Sequence, residues 1–195
     1  MSALRPPLMR AAGFTLVEMV VTVAVLSIVA LVAVPRADSA GSFAADAVAG
    51  EVANALRFGQ QEAIRTGRYH VVKIDPTTHS LSVYRMNASG AIGRDTGFTV
   101  VHPVDRREYA YSLAENGSPA VTIAASVFKY KGGAIFDYAS FGPDGAPADI
   151  HGAWTNGLDP STERDALDGE GVVTIRHGQA ERQVRLNPVT GRVTF

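Results

Sequence analysis

Residues 14–34 read FTLVEMVVTVAVLSIVALVAV, a run in which only Glu18 is charged. At about 1.5 Å per residue a helix of this length reaches about 32 Å, enough for a hydrocarbon core of about 30 Å. Arg5 and Arg10 precede the run with no acid among them, which under the positive-inside bias keeps the N-terminus in the cytoplasm. Pro35 follows, then a long segment of mixed polarity. The pattern predicts one membrane span with the rest of the chain outside. A cleavable secretory signal is the competing reading, and Ala37-Asp38-Ser39 offers small residues at a suitable spacing. Against it, the run exceeds the usual apolar region of roughly 7–15 residues and carries a carboxylate near its start. A charge in mid-span costs about 2.5–3.5 kcal/mol, less near an end, so an acid kept there asks for a partner.

The residues around that acid carry a resemblance. Gly13-Phe14-Thr15-Leu16-Val17-Glu18, after a short basic leader and before an unbroken apolar run, resembles the N-terminal motif of type IV pilins and type II secretion pseudopilins. The resemblance implies cleavage between Gly13 and Phe14 by a prepilin peptidase, N-methylation of the new Phe14 terminus, and extraction from the inner membrane into a helical filament. It also implies that Glu18 pairs with the free amine of a neighbouring subunit. Physically, such an ion pair compensates two buried charges only once assembly brings them together.

From Arg36 to Arg65 the chain is rich in Ala and free of Pro, which favours helix despite Gly41, Gly50 and Gly59. At 100° per residue Ala45, Val48, Val52, Ala55, Leu56, Gly59 and Ala63 share one narrow stripe of small side chains, suited to close packing on a sheet. Pro35 should kink the combined helix without necessarily ending it. Gly67 supplies a stop, with Arg65 a cation in the last turn. Phe43 and Phe58 project away from the stripe: either a loop folds over them or the phase drifts at a glycine, or they face other subunits in a filament.

After Gly67 the period changes. Tyr69–Asp75 and Leu81–Arg85 flank Pro76-Thr77-Thr78-His79 as a hairpin, and Phe98–Pro103, Ala120–Ala125 and Val127–Tyr130 are further strand candidates. Val172–His177, Gln183–Leu186 and Arg192–Phe195, separated by turn-rich residues, form a closing meander. Residues 142–171, with three prolines and many acids, read as a long insertion or loop. The class is α+β: a long N-terminal membrane-spanning helix packed on antiparallel sheets. The expected organisation is a leader at 1–13, a membrane and filament-core helix at 14–35, an amphipathic periplasmic half at 36–66, and a β-rich domain at 67–195. One helix, an immediate hairpin and a final Thr190-Gly191-Arg192-Val193 are similar to the GspH/FimT family of minor pseudopilins and minor pilins. That family implies a non-enzymatic, single-pass inner-membrane subunit with a periplasmic domain. Its partners would be other major and minor pseudopilins, prepilin peptidase and the inner-membrane assembly platform.

No catalytic constellation, metal site or cofactor site stands out. His70, His79, His102, His151 and His177 are scattered, with no i, i+4 pair. Ser140 and Ser161 lack a nucleophile-elbow context. With no cysteine, thiolate zinc sites and disulfide scaffolds are excluded. Asp159, Glu163, Asp165, Asp168 and Glu170 form an acidic cluster around Arg164. Some related pseudopilins hold calcium in a C-terminal loop, but this spacing matches no calcium loop and reads as a solvated one. Arg176, Arg182, Arg185 and Arg192 stand beside a single acid, Glu181. On alternating strands Arg176, Arg185 and Arg192 would oppose the apolar sets, a footprint for phosphate. FimT-type minor pilins in some transformable bacteria bind DNA through such arginines, so DNA uptake is the alternative function. The other reading is a solvated face salt-bridged to the acidic loop. Setting aside Arg5, Arg10 and Glu18, the remainder has 16 basic and 18 acidic residues out of totals of 18 and 19, which favours the solvated face.

Overall fold

The computed structural model describes residues 14–87, 93–116, 120–131, 133, 135–150 and 164–195, with the side chains of 31–41, 149, 150 and 164 left out. Gly13, His151, Asp159, Ser161 and Glu163 lie outside the described residues. The chain divides into two compact units, one up to Ala40 and one from Gly41 onward. Helix α1, Leu16–Thr66, contributes to both.

In the first unit α1 starts behind Thr15, whose Oγ1 accepts the Glu18 N–H at 3.2 Å. Thr22 Oγ1 donates to the Glu18 carbonyl at 2.9 Å and Ser27 Oγ to the Val23 carbonyl at 2.8 Å, so both hydroxyls are satisfied inside their own helix. Every large apolar side chain described there is exposed, from 53% at Val21 and Val25 to 81% at Leu16. Among the described residues no helix is long and apolar enough to cross a membrane. The span expected over 14–34 is therefore not found as such, because its described side chains stop at Ala30.

In the second unit the apolar stripe of α1 is the centre of the core. Ala45, Val48, Val52, Ala55, Leu56 and Ala63 are buried, joined by Ala49 and Ala53. Gly59 lets the helix come close to the first sheet: a Cβ there would lie 2.5 Å from Val72 Cγ2. The helix stops where Gly67 takes φ 65°, its N–H donating to the Ala63 carbonyl at 3.0 Å.

Among the described residues eleven strands follow α1: β1 His70–Asp75, β2 Ser80–Arg85, β3 Ala110–Ser112, β4 Thr122–Lys129, β5 Ile135–Phe136, β6 Tyr138–Phe141, β7 Ala148–Ile150, β8 Arg164–Ala166, β9 Gly171–His177, β10 Ala180–Leu186 and β11 Val193–Thr194. They form antiparallel sheets ordered β3-β2-β1-β6 and β11-β10-β9-β4-β5, with β7-β8 as a separate ribbon. The chain passes from the second sheet to the first at Asp137, whose carbonyl accepts the Ile74 N–H at 2.8 Å. The fully buried Tyr130 ties the sheets together there, its hydroxyl accepting the Ser140 N–H at 3.0 Å. Gln60 of α1 donates to the carbonyls of Gly145 at 2.8 Å and Thr190 at 3.1 Å, fastening two loops to the helix.

Three strand expectations are corrected. Residues 98–103 form no strand; only an isolated bridge joins Val101 to Glu108, and Phe98 serves as a platform 3.8 Å below the Arg85 guanidinium. Ala120–Ala125 and Val127–Tyr130 merge into the single β4, with a register shift between Ile123 and Ala125 that leaves Ala124 exposed. The stretch 142–171 is not one loop, since its two ends pair as β7 and β8.

Candidate assembly surface

The first turn of α1 is a capping box in sequence and half of one in geometry. Thr15 is the N-cap, and Glu18, three residues on, gives its N–H to the Thr15 hydroxyl. The carboxylate of Glu18 stands in the first turn, where the helix dipole favours an anion. Phe14 ahead of it is 78% exposed. With Thr22 and Ser27 internally bonded, Glu18 is the one charge within residues 16–30 of α1, a stretch whose large apolar side chains are all exposed. Such a surface is stable only where lipid or other apolar helices cover it. The sequence signal for the Thr15 cap is the Thr-x-x-Glu spacing.

The two aromatic residues of the amphipathic half part company. Phe43 is 72% exposed. Phe58 is half-buried and packs on the core, its ring 5.0 Å from that of Tyr109, so the 98–109 loop folds over it. Tyr109 in turn lies 4.7 Å from His102, edge to face, and donates to Glu51 Oε1 at 3.4 Å; burial first, then the Glu51 charge, push its phenol well above the ordinary range.

The four C-terminal arginines do not share one face. Arg176 and Arg185 stand on the outer face of β9 and β10, opposite the buried Val173, Ile175, Val184 and Leu186. Arg182 alternates to the inner face, where it donates to Asp46 and, at 2.8 Å, to Ser42 Oγ of α1. It is a clamp between β10 and the helix, apart from the footprint expected of Arg176, Arg185 and Arg192. Arg176 bonds Glu181 at 2.8 Å across the strand pair and holds that carboxyl below its ordinary range. Arg185 meets Glu170 at 3.3 Å. Arg192 is exposed beside β11, its backbone carbonyl accepting the Asn187 N–H at 2.9 Å and its N–H donating to Thr190 Oγ1 at 3.3 Å. Asp168 is engaged in the same way, meeting Lys129 at 2.9 Å. Among the described residues no cluster of His, Cys, Asp or Glu could hold a metal ion. His70 is fully buried, Nδ1 lying 3.0 Å from the Arg68 carbonyl and Nε2 without a partner; burial pushes its imidazole down.

Residues 8–34 match the family model of the prokaryotic N-terminal methylation motif. The N-terminal stretch of the chain therefore carries a prokaryotic methylation motif. No curated protein matches it in sequence. Two solved structures of the minor pseudopilin EpsH from the type 2 secretion system of Vibrio cholerae are similar. One has 13% identity and a TM-score of 0.45, covering 77% of this chain and 94% of that one. The other has 15% identity and a TM-score of 0.46, covering 78% and 93%. The type IV minor pilin FimU of Pseudomonas aeruginosa has 15% identity and a TM-score of 0.40, covering 76% and 90%. Likenesses at this level decide neither fold nor role. The α+β architecture rests on the helix and antiparallel sheets of the chain itself.

Proposed function

We propose that the chain is a pilin-type assembly subunit of the GspH/FimT kind, and in particular an H-type minor pseudopilin of a type II secretion system. The supporting observation is the methylation motif seated on a helix that exposes apolar side chains on every side around one carboxylate. Prepilin peptidase cuts between Gly13 and Phe14, and the Phe14 amine is methylated. The helix holds the subunit in the inner membrane with its β-rich domain in the periplasm. On assembly Glu18 meets the Phe14 amine of the adjacent subunit, which compensates both charges in apolar surroundings and sets the register. The role is mechanical, and no group in the β-rich unit is assigned to chemistry. The engaged state of Arg176, Arg182 and Arg185 does not favour the DNA-binding alternative.

The test is Glu18→Ala in the host. Membrane insertion should be unchanged, while incorporation into the pseudopilus and export of secreted protein should both fall. Normal incorporation would refute the ion pair.

A further inference from the structure

The 98–109 loop has the form of a hairpin that stops short of a ladder. The Val100 carbonyl accepts the Tyr109 N–H at 2.9 Å and His102 gives its N–H to the Arg107 carbonyl at 2.7 Å, on either side of the bridge between Val101 and Glu108. Around such a bridge successive residues aim their backbone groups to opposite sides, so those of Thr99 and Val101 turn away from the facing limb. Neither residue has a backbone hydrogen bond among the described residues. Both are exposed, while Val100 between them is buried in the core. The result is a free strand edge two residues long, ended by Pro103, which has no N–H to offer.

The edge borders a cleft of about 280 Å³ against α1, with Phe58 and Phe98 as aromatic walls, Arg65 and Glu62 on the helical side and Arg106 on the loop side. The neighbouring acids are engaged. Glu62 meets Arg65 at 2.6 Å and Glu108 meets Arg94, while Asp105 accepts the Arg107 N–H at 3.1 Å and lies 3.4 Å from His102 Nδ1. Arg106 and Arg107 are left without an ion pair among the described residues, so positive charge is in excess here. The turn that brings Arg106 to the cleft holds it at φ 59°, a left-handed conformation that an arginine seldom adopts.

We propose that the edge at Thr99 and Val101 takes an extended, acidic segment of a different protein as an added strand. Main-chain hydrogen bonds to Thr99 and Val101 hold the segment, one of its apolar side chains enters the cleft between Phe58 and Phe98, and one of its carboxylates meets Arg106. The unpaired cations select the sign of the partner's charge, because a basic segment would face Arg106 and Arg107 with nothing to offset them. Binding here depends neither on the N-terminal motif nor on assembly.

The test uses the full chain in detergent and a set of blocked heptapeptides that alternate Asp or Glu with Val, Leu or Phe, each beside its Lys counterpart. Fluorescence anisotropy reads binding, and amide hydrogen exchange reads its place. At least one acidic peptide should bind about tenfold or more tightly than its Lys counterpart and slow exchange at the Thr99 and Val101 amides. N-methylating alternate amides of that peptide should abolish binding in one phase and spare it in the other, because only one side of a strand pairs. Arg106→Gly keeps the left-handed turn, removes the guanidinium and should weaken binding about tenfold, whereas Lys73→Gln on the exposed side of β1 should not. Equal binding of acidic and Lys peptides, binding that leaves Thr99 and Val101 exchange unchanged, or amides already protected in the free chain would each overturn the proposal. Protection that grows with the concentration of the chain alone would give the edge to a second copy and overturn it as well.

Discussion

Two glycines of α1, nine residues apart, should respond to the same substitution with opposite sign. Replacing an interior helical Gly by Ala stabilises by about 0.8–1 kcal/mol through backbone entropy. At Gly50 that gain is free of cost, because the nearest atom to a new Cβ is Phe195 Cζ at 4.0 Å, ordinary contact. At Gly59 the new Cβ would lie 2.5 Å from Val72 Cγ2, with Phe141 at 3.7 Å and Val83 at 3.8 Å behind it. Val72 is fully buried in β1, and its β-branched side chain has one comfortable rotamer, so the helix must lift or the strand must shift. Overpacking of this kind costs about 1–3 kcal/mol. Gly59→Ala should therefore be destabilised by up to about 2 kcal/mol after the helical gain is deducted. At about 2–4 °C per kcal/mol for a unit of this size, its melting temperature should fall several degrees below that of Gly50→Ala. Thermal unfolding of the full chain in detergent, followed by circular dichroism, measures both. A Gly59→Ala variant as stable as Gly50→Ala would show that α1 does not sit on the first sheet as closely as described.

The remaining predictions concern single side chains. Phe43→Ala should leave the melting temperature nearly unchanged, whereas Phe58→Ala, which loses core contact and the Tyr109 ring, should cost about 2–4 kcal/mol in the same assay; equal effects would reject the distinction between an exposed and a covered aromatic. His70 sits neutral in the fold, its imidazole pushed below the ordinary value of 6.5 first by burial. The unfolded chain therefore binds the proton first, so stability is full above pH 6.5 and falls as pH drops below it, by at most about 1.4 kcal/mol per unit. Urea unfolding between pH 7.5 and 5 should show this slope and His70→Gln should flatten it; an unchanged slope would place the acid sensitivity elsewhere.

Local chemistry made much of this fold legible. The 3.6-residue stripe from Ala45 to Ala63, the stop at Gly67 and the alternation of β1, β2, β9 and β10 are all written in neighbouring residues. What escaped depends on partners far away in the chain. Residues 98–103 have strand-like composition, yet Phe98 is taken by Arg85 and only Val101 finds a bridge, so no ladder forms. Alternation alone separates Arg182 from the outward Arg176, Arg185 and Arg192, but nothing in the sequence says that Asp46 and Ser42, some 140 residues earlier, wait there. Phe58 was ambiguous for the same reason, because the cover is Tyr109, a residue from a loop with no periodic signal. At the N-terminus the opposite holds. The methylation motif over residues 8–34 and the Thr-x-x-Glu spacing of the first helical turn are both local patterns, so they are readable without any tertiary information.

The most direct test is the mass of the N-terminal peptide of the chain recovered from its host membrane. A peptide beginning at N-methylated Phe14 is the predicted result. A peptide still carrying residues 1–13, or one beginning near residue 40, would contradict the account and leave a β-rich protein that is simply anchored or exported.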